Sequence, residues 1–188
     1  MAKSGMGNFY FDLETSGLNP KQDRIIALQY EELDRSTGKA VGSLHILREW
    51  EYGEKGILEK FLNESGILKK YEFSFVPIGY NLGFKANFLR ARLAENGLQQ
   101  IDLIDRPFID LRSFGVVMNR GEFRGSGLDR LTGKQSDGAN VPKWYKAKEY
   151  GKIIRYIEDK ASSFVKLNSW LYAEMPKFLE RFKKESGV

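Results

Sequence analysis

The stretch that most constrains this chain is NFYFDLETSGLNP, residues 8–20. Phe9, Tyr10 and Phe11 run directly into Asp12 and Glu14, and neighbours of this kind predict a buried strand. Side chains two apart on a strand share a face, so the two carboxylates point the same way. Like charges side by side on a buried strand are costly unless something positive offsets them. The usual offset is a metal ion. The plain alternative is a strand end open to water.

Composition narrows the setting. A chain of 188 residues, 41% of them hydrophobic, is long enough to bury a sizeable core, and we expect one domain over 1–188. There is no cysteine and one histidine. That excludes a disulfide framework, Cys-ligated zinc and a His-rich metal site. MAKSGMGNFY lacks the apolar core of a signal peptide, and no apolar run reaches membrane-span length. The expectation is a cytoplasmic protein with no membrane contact. A net charge of +5 suits a polyanionic partner.

Along the chain, FYFDLET and RIIALQYEEL read as strands, with AVGSLHILREW pairing back onto the second as a hairpin through the turn at Ser36-Thr37-Gly38. GEKGILEKFLNESGIL predicts a helix and SFVPIGYN a short strand. FKANFLRARLAENGL predicts a helix stopped at Asn96-Gly97. RPFIDLRSFGVVMN reads as strand then helix, GEFRGSGLDRLTG as a loop with a helical turn, and QSDGANVPKWYKAK as a polar loop. From Glu149 to about Leu179 the pattern is helical, with a break expected before Pro176. Strands first, then strands alternating with helices, predict an α/β fold: a mixed sheet of about five strands flanked by helices.

These segments carry a family resemblance. YFDLETSGL resembles the first motif of the DEDD-type 3′–5′ exonucleases, the proofreading-exonuclease branch of the ribonuclease-H-like superfamily. IGYNLGFKANFLRARL resembles the second motif, with Gly79-Tyr80-Asn81 and Phe84 through Leu89 in step, and YGKIIRYIEDKASSFVKL resembles the third. The likeness covers nearly the whole chain. It implies a ribonuclease-H-like sheet and a site where four carboxylates hold two divalent metals for phosphodiester hydrolysis. By position, Asp12 and Glu14 would be the metal ligands and Tyr156 would orient the attacking water.

Two positions depart from the pattern. The second-motif acid is Lys85, and the residue four after Tyr156 is Lys160 rather than Asp. Asp159 is adjacent, so a one-residue shift is the alternative. At roughly 100° per residue, Ile153, Ile157, Ala161, Phe164, Val165 and Asn168 define one helix face. Lys160 flanks that face, about 70° from its centre, while Asp159 lies about 170° away. We therefore expect Lys160 to replace the acid and Glu158 and Asp159 to be solvated. An ammonium has no lone pair for Mg²⁺, but it can neutralise a carboxylate. Asp12 and Glu14 are then expected to be held by Lys85 and Lys160, with Mg²⁺ or Mn²⁺ bound weakly or not at all.

The remaining candidates concern binding. Arg112, Arg120, Arg124, Arg130, Lys134, Lys143, Lys146 and Lys148 crowd residues 110–150, with Trp144 and Tyr145 among them. Bases stack on aromatics while cations track phosphates. Thr15, Asn81, Lys85, Trp144 and Lys160 are the expected nucleic-acid contacts, with Trp144 and Tyr145 as stacking residues. His45 is expected to be structural or exposed. The reading that follows is a member of the exonuclease family that binds single-stranded nucleic acid, with its metal-dependent nuclease activity lost or weakened. Two alternatives stay open: an active 3′–5′ exonuclease using Asp12, Glu14 and Asp159, or a non-enzymatic module with a protein partner on the same fold.

Overall fold

A computed structural model describes residues 6–133 and 137–187. Five strands form one mixed sheet in the order β3-β2-β1-β4-β5: β1 (Asn8–Thr15), β2 (Ile25–Leu33), β3 (His45–Arg48), β4 (Val76–Gly79) and β5 (Ile109–Asp110). β1 pairs antiparallel with β2, and β2 with β3; β1 pairs parallel with β4, and β4 with β5. The helices are α1 (Glu49–Glu64), α2 (Leu82–Glu95), α3 (Leu111–Met118), α4 (Leu128–Thr132), α5 (Val141–Lys146) and α6 (Tyr150–Ser186). This is the ribonuclease-H-like arrangement that the motifs imply.

The alternation of β1 sorts its side chains to two faces. Phe11 and Leu13 join Leu28, Tyr30, Phe61, Phe75, Phe88 and Leu89 in the larger core, beneath α1 and α2. Tyr10 goes the other way, against Ala161 and Phe164 of α6, with ring centroids 4.6 Å apart between Tyr10 and Phe164. Asp12 and Glu14 share that second face, so α6 passes over both carboxylates. α2 begins directly after β4, which runs parallel beside β1, and its early residues therefore reach the same strand end.

Several boundaries differ from the sequence reading. The third strand is confined to His45–Arg48, and Glu49 and Trp50 already belong to α1, whose helical geometry breaks at Gly53 (φ 70°), a backbone state that costs glycine least. His45 lies exposed on this edge strand and stacks on Tyr30 at 4.8 Å. The expected polar loop holds a 3₁₀ turn at Gly138–Asn140 and then α5. Its signal was the proline early in the helix, where a missing N–H is harmless, and the burial of Val141 secures it. The expected break before Pro176 is absent, and α6 continues for 37 residues. Pro176 is exposed and lies past Leu171, the last buried residue of the helix, so water can take up the bond that its ring displaces.

Phe164 is fully buried where α6 meets the sheet. Phe164→Ala is expected to lower stability by about 3–5 kcal/mol, read from the urea-unfolding midpoint. A loss below about 1 kcal/mol would mean that α6 is not clamped to the sheet there.

Candidate functional site

Asp12 and Glu14 are 2% and 7% exposed, and both are met by lysines. Lys160 Nζ, from α6, lies 2.8 Å from Asp12 Oδ2 and 2.8 Å from Glu14 Oε1. Lys85 Nζ, from α2, lies 2.9 Å from Asp12 Oδ1 and also donates to the Tyr80 carbonyl. Tyr10 Oη donates to Asp12 Oδ2 at 3.2 Å, and the Leu13 N–H to Asp12 Oδ1 at 2.8 Å. Both oxygens of Asp12 therefore carry more than one donor. Lys85 sits in the first turns of α2, where the helix dipole disfavours a cation. Asp12 supplies the offset.

The electrostatics follow from burial and pairing. Burial pushes the Asp12 carboxyl up, but Lys160 and Lys85 outweigh it and hold it at about 2, below its ordinary 3.8. Burial raises Glu14, and Lys160 only partly opposes this because Asp12 adds like-charge repulsion. Burial alone would lower Lys160; Asp12 and Glu14 reverse the sign and lift it well above 10.5. Tyr156 is pushed up to about 12, chiefly by burial, so its hydroxyl keeps its proton across the physiological range. Its ring lies 5.5 Å from Lys160 Nζ.

Glu14, Lys85 and Lys160 line a cleft of about 1060 Å³, with Asp12 buried beneath them. Thr15, Asn81, Lys85, Trp144, Tyr156, Asp159 and Lys160 all line it, so the fold gathers residues from β1, α2, α5 and α6. Thr15 Oγ1 donates to the Gly17 carbonyl at 2.5 Å and so shapes the turn after β1. Asn81 takes the left-handed conformation (φ 61°) that starts α2. Asp159 is exposed at the cleft wall, as the helical wheel requires. Trp144 does reach the cleft, but its ring packs edge-on against Tyr156 at 6.2 Å. Tyr145 corrects its expected role: its hydroxyl donates to Glu49, and it packs near Tyr150 instead of lining the cleft. Lys134 lies outside the described residues.

The donor set does not fit a two-metal centre. Such a centre draws on four carboxylates. Here two of the expected ligand positions present ammonium groups, which cannot coordinate a cation and already occupy the oxygens of Asp12 and one oxygen of Glu14. Among the described residues, no group of three or more His, Cys, Asp or Glu side chains could hold a metal ion.

The fold is an α/β mixed sheet of the ribonuclease-H-like kind, and similarity to solved structures agrees. One is the zinc-bound form of the Escherichia coli exonuclease I–single-stranded DNA complex (TM-score 0.62, 13% identity), matched over 94% of this chain and 42% of that one. The E. coli enzyme in complex with a 5cy-dT13 oligonucleotide is similar over the same shares (TM-score 0.57, 13% identity). The metal-free form of its DNA complex is also similar (TM-score 0.56, 13% identity), over 94% of this chain and 41% of that one. This chain thus spans less than half the length of the exonuclease I chains that it resembles. No family model matches it, and comparison with curated proteins found no match. Among the described residues, no helix is long and apolar enough to cross a membrane.

Removing the bridging cation should expose the cost of the acidic pair. Lys160→Met is expected to destabilise by about 3–5 kcal/mol at pH 8, because it leaves Glu14 charged and buried without its partner. Without Lys160, burial raises Glu14 further, so the folded state takes up protons that the unfolded state does not, and stability falls as pH rises through the carboxylate range. The deficit should therefore be smaller at pH 4.5 than at pH 8. In the wild type the lowered Asp12 gives the opposite slope: its contribution is complete above about 3.8 and is lost as pH falls through about 2. Urea titrations of both proteins at the two pH values test this, and a pH-independent deficit would contradict it.

Proposed function

We propose that this chain binds single-stranded nucleic acid in the cleft above Asp12 and Glu14, and that its metal-dependent nuclease activity is lost or severely weakened. The observation that carries the reading is the double lysine bridge: Lys160 spans both carboxylates and Lys85 holds the first. Four uncompensated carboxylates repel phosphate until metals arrive; two carboxylates matched by two ammonium groups do not. The cleft wall carries Arg112, Lys152 and Arg155 as cations against Asp129, Asp137 and Asp159, with Trp144, Tyr156, Leu18 and Phe84 as apolar surface for sugars and bases. The likeness to exonuclease I solved with single-stranded DNA supports the ligand class.

In this reading the lysines do the work of counter-ions. They keep Asp12 and Glu14 neutralised without an exchangeable ligand, and Asp12, Tyr10 and Tyr80 in turn fix where Lys85 and Lys160 stand. Tyr156, protonated and beside Lys160, can donate to a phosphate or sugar oxygen at the cleft floor.

The purified protein is expected to bind a labelled single-stranded oligonucleotide in EDTA, measured by fluorescence anisotropy, with affinity falling steeply between 50 and 200 mM salt, values of the order used to expose counter-ion release. Absence of binding at low salt would remove the nucleic-acid reading and favour a protein-interaction module. With Mg²⁺ or Mn²⁺ we expect no robust degradation of single-stranded DNA, and we expect Lys85→Asp/Lys160→Asp to bind Mn²⁺ more tightly than the wild type in calorimetry. Wild-type degradation that Asp12→Ala abolishes would overturn the inactivity.

A further inference from the structure

Of the stacking residues expected from sequence, Tyr145 turns to Glu49 and Trp144 packs against Tyr156 at the cleft wall, while a different aromatic stands more open beside the cleft. Phe123 is 68% exposed on the loop between α3 and α4. The Arg112 guanidinium lies over its ring, 5.7 Å from the centroid. The two residues line a second hollow of about 380 Å³, together with Asn81, Gly83 and Val116. Asn81 and Arg112 line the main cleft as well, so the hollow continues it.

The loop is held from within. Asn119 Nδ2 donates to the carbonyls of Glu122 and Arg124 at 2.8 and 3.0 Å, and Ser126 Oγ donates to the Phe123 carbonyl at 2.8 Å. Tyr80, at the cleft, donates to the Ser126 carbonyl and ties the loop to the site. A large apolar ring presented to water on a braced loop has its ordering cost met before any ligand arrives. The charges around it suit a polyanion. Arg112 forms no ion pair among the described residues, and Arg120, Glu122 and Arg124 flank the ring in sequence. The acid nearest in the hollow, Asp110, turns both oxygens inward: it accepts from the N–H groups of Asn81, Leu82 and Arg112 at 2.8, 2.8 and 3.0 Å, at the starts of α2 and α3.

We infer that a single strand leaving the main cleft crosses onto this hollow, where Phe123 stacks a base and Arg112 contacts the adjoining phosphate. The inference rests on the nucleic-acid reading of the main cleft. Shape and charge favour a strand over an apolar peptide, since Arg112 lies over the exposed ring and the hollow shares Asn81 and Arg112 with the cleft.

Two labelled oligonucleotides separate this platform from the cleft: dT3, short enough for the cleft alone, and dT12, long enough to run past it. In EDTA at low salt, Phe123→Ala is expected to weaken dT12 about tenfold and to leave dT3 unchanged, because stacking on one ring is sequence-tolerant and worth about that factor. Phe123→Trp should keep wild-type affinity for dT12. Arg112→Gln should flatten the salt dependence for dT12 by about one charge. Photocrosslinking of an iododeoxyuridine-substituted dT12 should map to the peptide that contains Phe123. Equal dT12 affinity for wild type and Phe123→Ala, with both binding dT3, would overturn the platform and leave the cleft reading standing. Failure of the wild type to bind either oligonucleotide would overturn both, and would make the exposed Phe123 loop a protein contact instead.

Discussion

Lys160 is the group on which the site turns. Its ammonium sits 2.8 Å from an oxygen of each carboxylate, and without it two buried like charges would share one strand face. Burial makes this pairing consequential, since water screens surface ion pairs but not these. The bridge also spans the fold: β1 is the central strand of the sheet and α6 is its longest helix. The contact that neutralises the acids therefore also fixes α6 over the sheet, beside Phe164 and Tyr10.

Lys85 completes the arrangement from the opposite side. It arrives from the start of α2, an end that the helix dipole makes unfavourable for a cation, and it is tied to Asp12 and to the Tyr80 carbonyl. A carboxylate at that position would have suited the dipole. The cation found there is tolerated because Asp12 faces it. Each lysine thus makes sense only with the acids present, and the acids only with the lysines. A metal ion entering this site would have to displace two covalently tethered counter-ions.

The surroundings of the bridge differ in character from its floor. Lysines are matched to the buried carboxylates below, and arginines, aspartates and aromatic rings stand along the walls, so the charge of the acidic pair is balanced without a bound metal. Tyr80 connects this cleft to the braced loop that carries Phe123, so the two hollows share a frame as well as a wall.

Much of this was legible in the residues. The aromatic run before Asp12, the Asp-x-Glu spacing and the helical periodicity around Tyr156 located β1 and α6, and they put Lys160 beside the core face with Asp159 outside it. Those features are local, set by strand alternation and by 3.6-residue periodicity. The turns of the 137–147 segment were not legible, because Val141 and Pro142 form a helix only when Val141 has a core to enter. Nor was the continuation of α6 through Pro176, which depends on that stretch having left the core. The partners of the aromatics were not legible for the same reason: sequence placed Trp144 and Tyr145 among cations but held no record that Trp144 packs against Tyr156 at the cleft and that Tyr145 turns to Glu49. Sequence by itself determined which residues carry charge, which face of each element they occupy, and that Asp12 and Glu14 need an offset. Tertiary structure decided what supplies it, because Lys85 lies 73 positions from Asp12 and Lys160 lies 146 from Glu14, and only the packing of α2 and α6 against β1 brings ammonium and carboxylate within 3 Å.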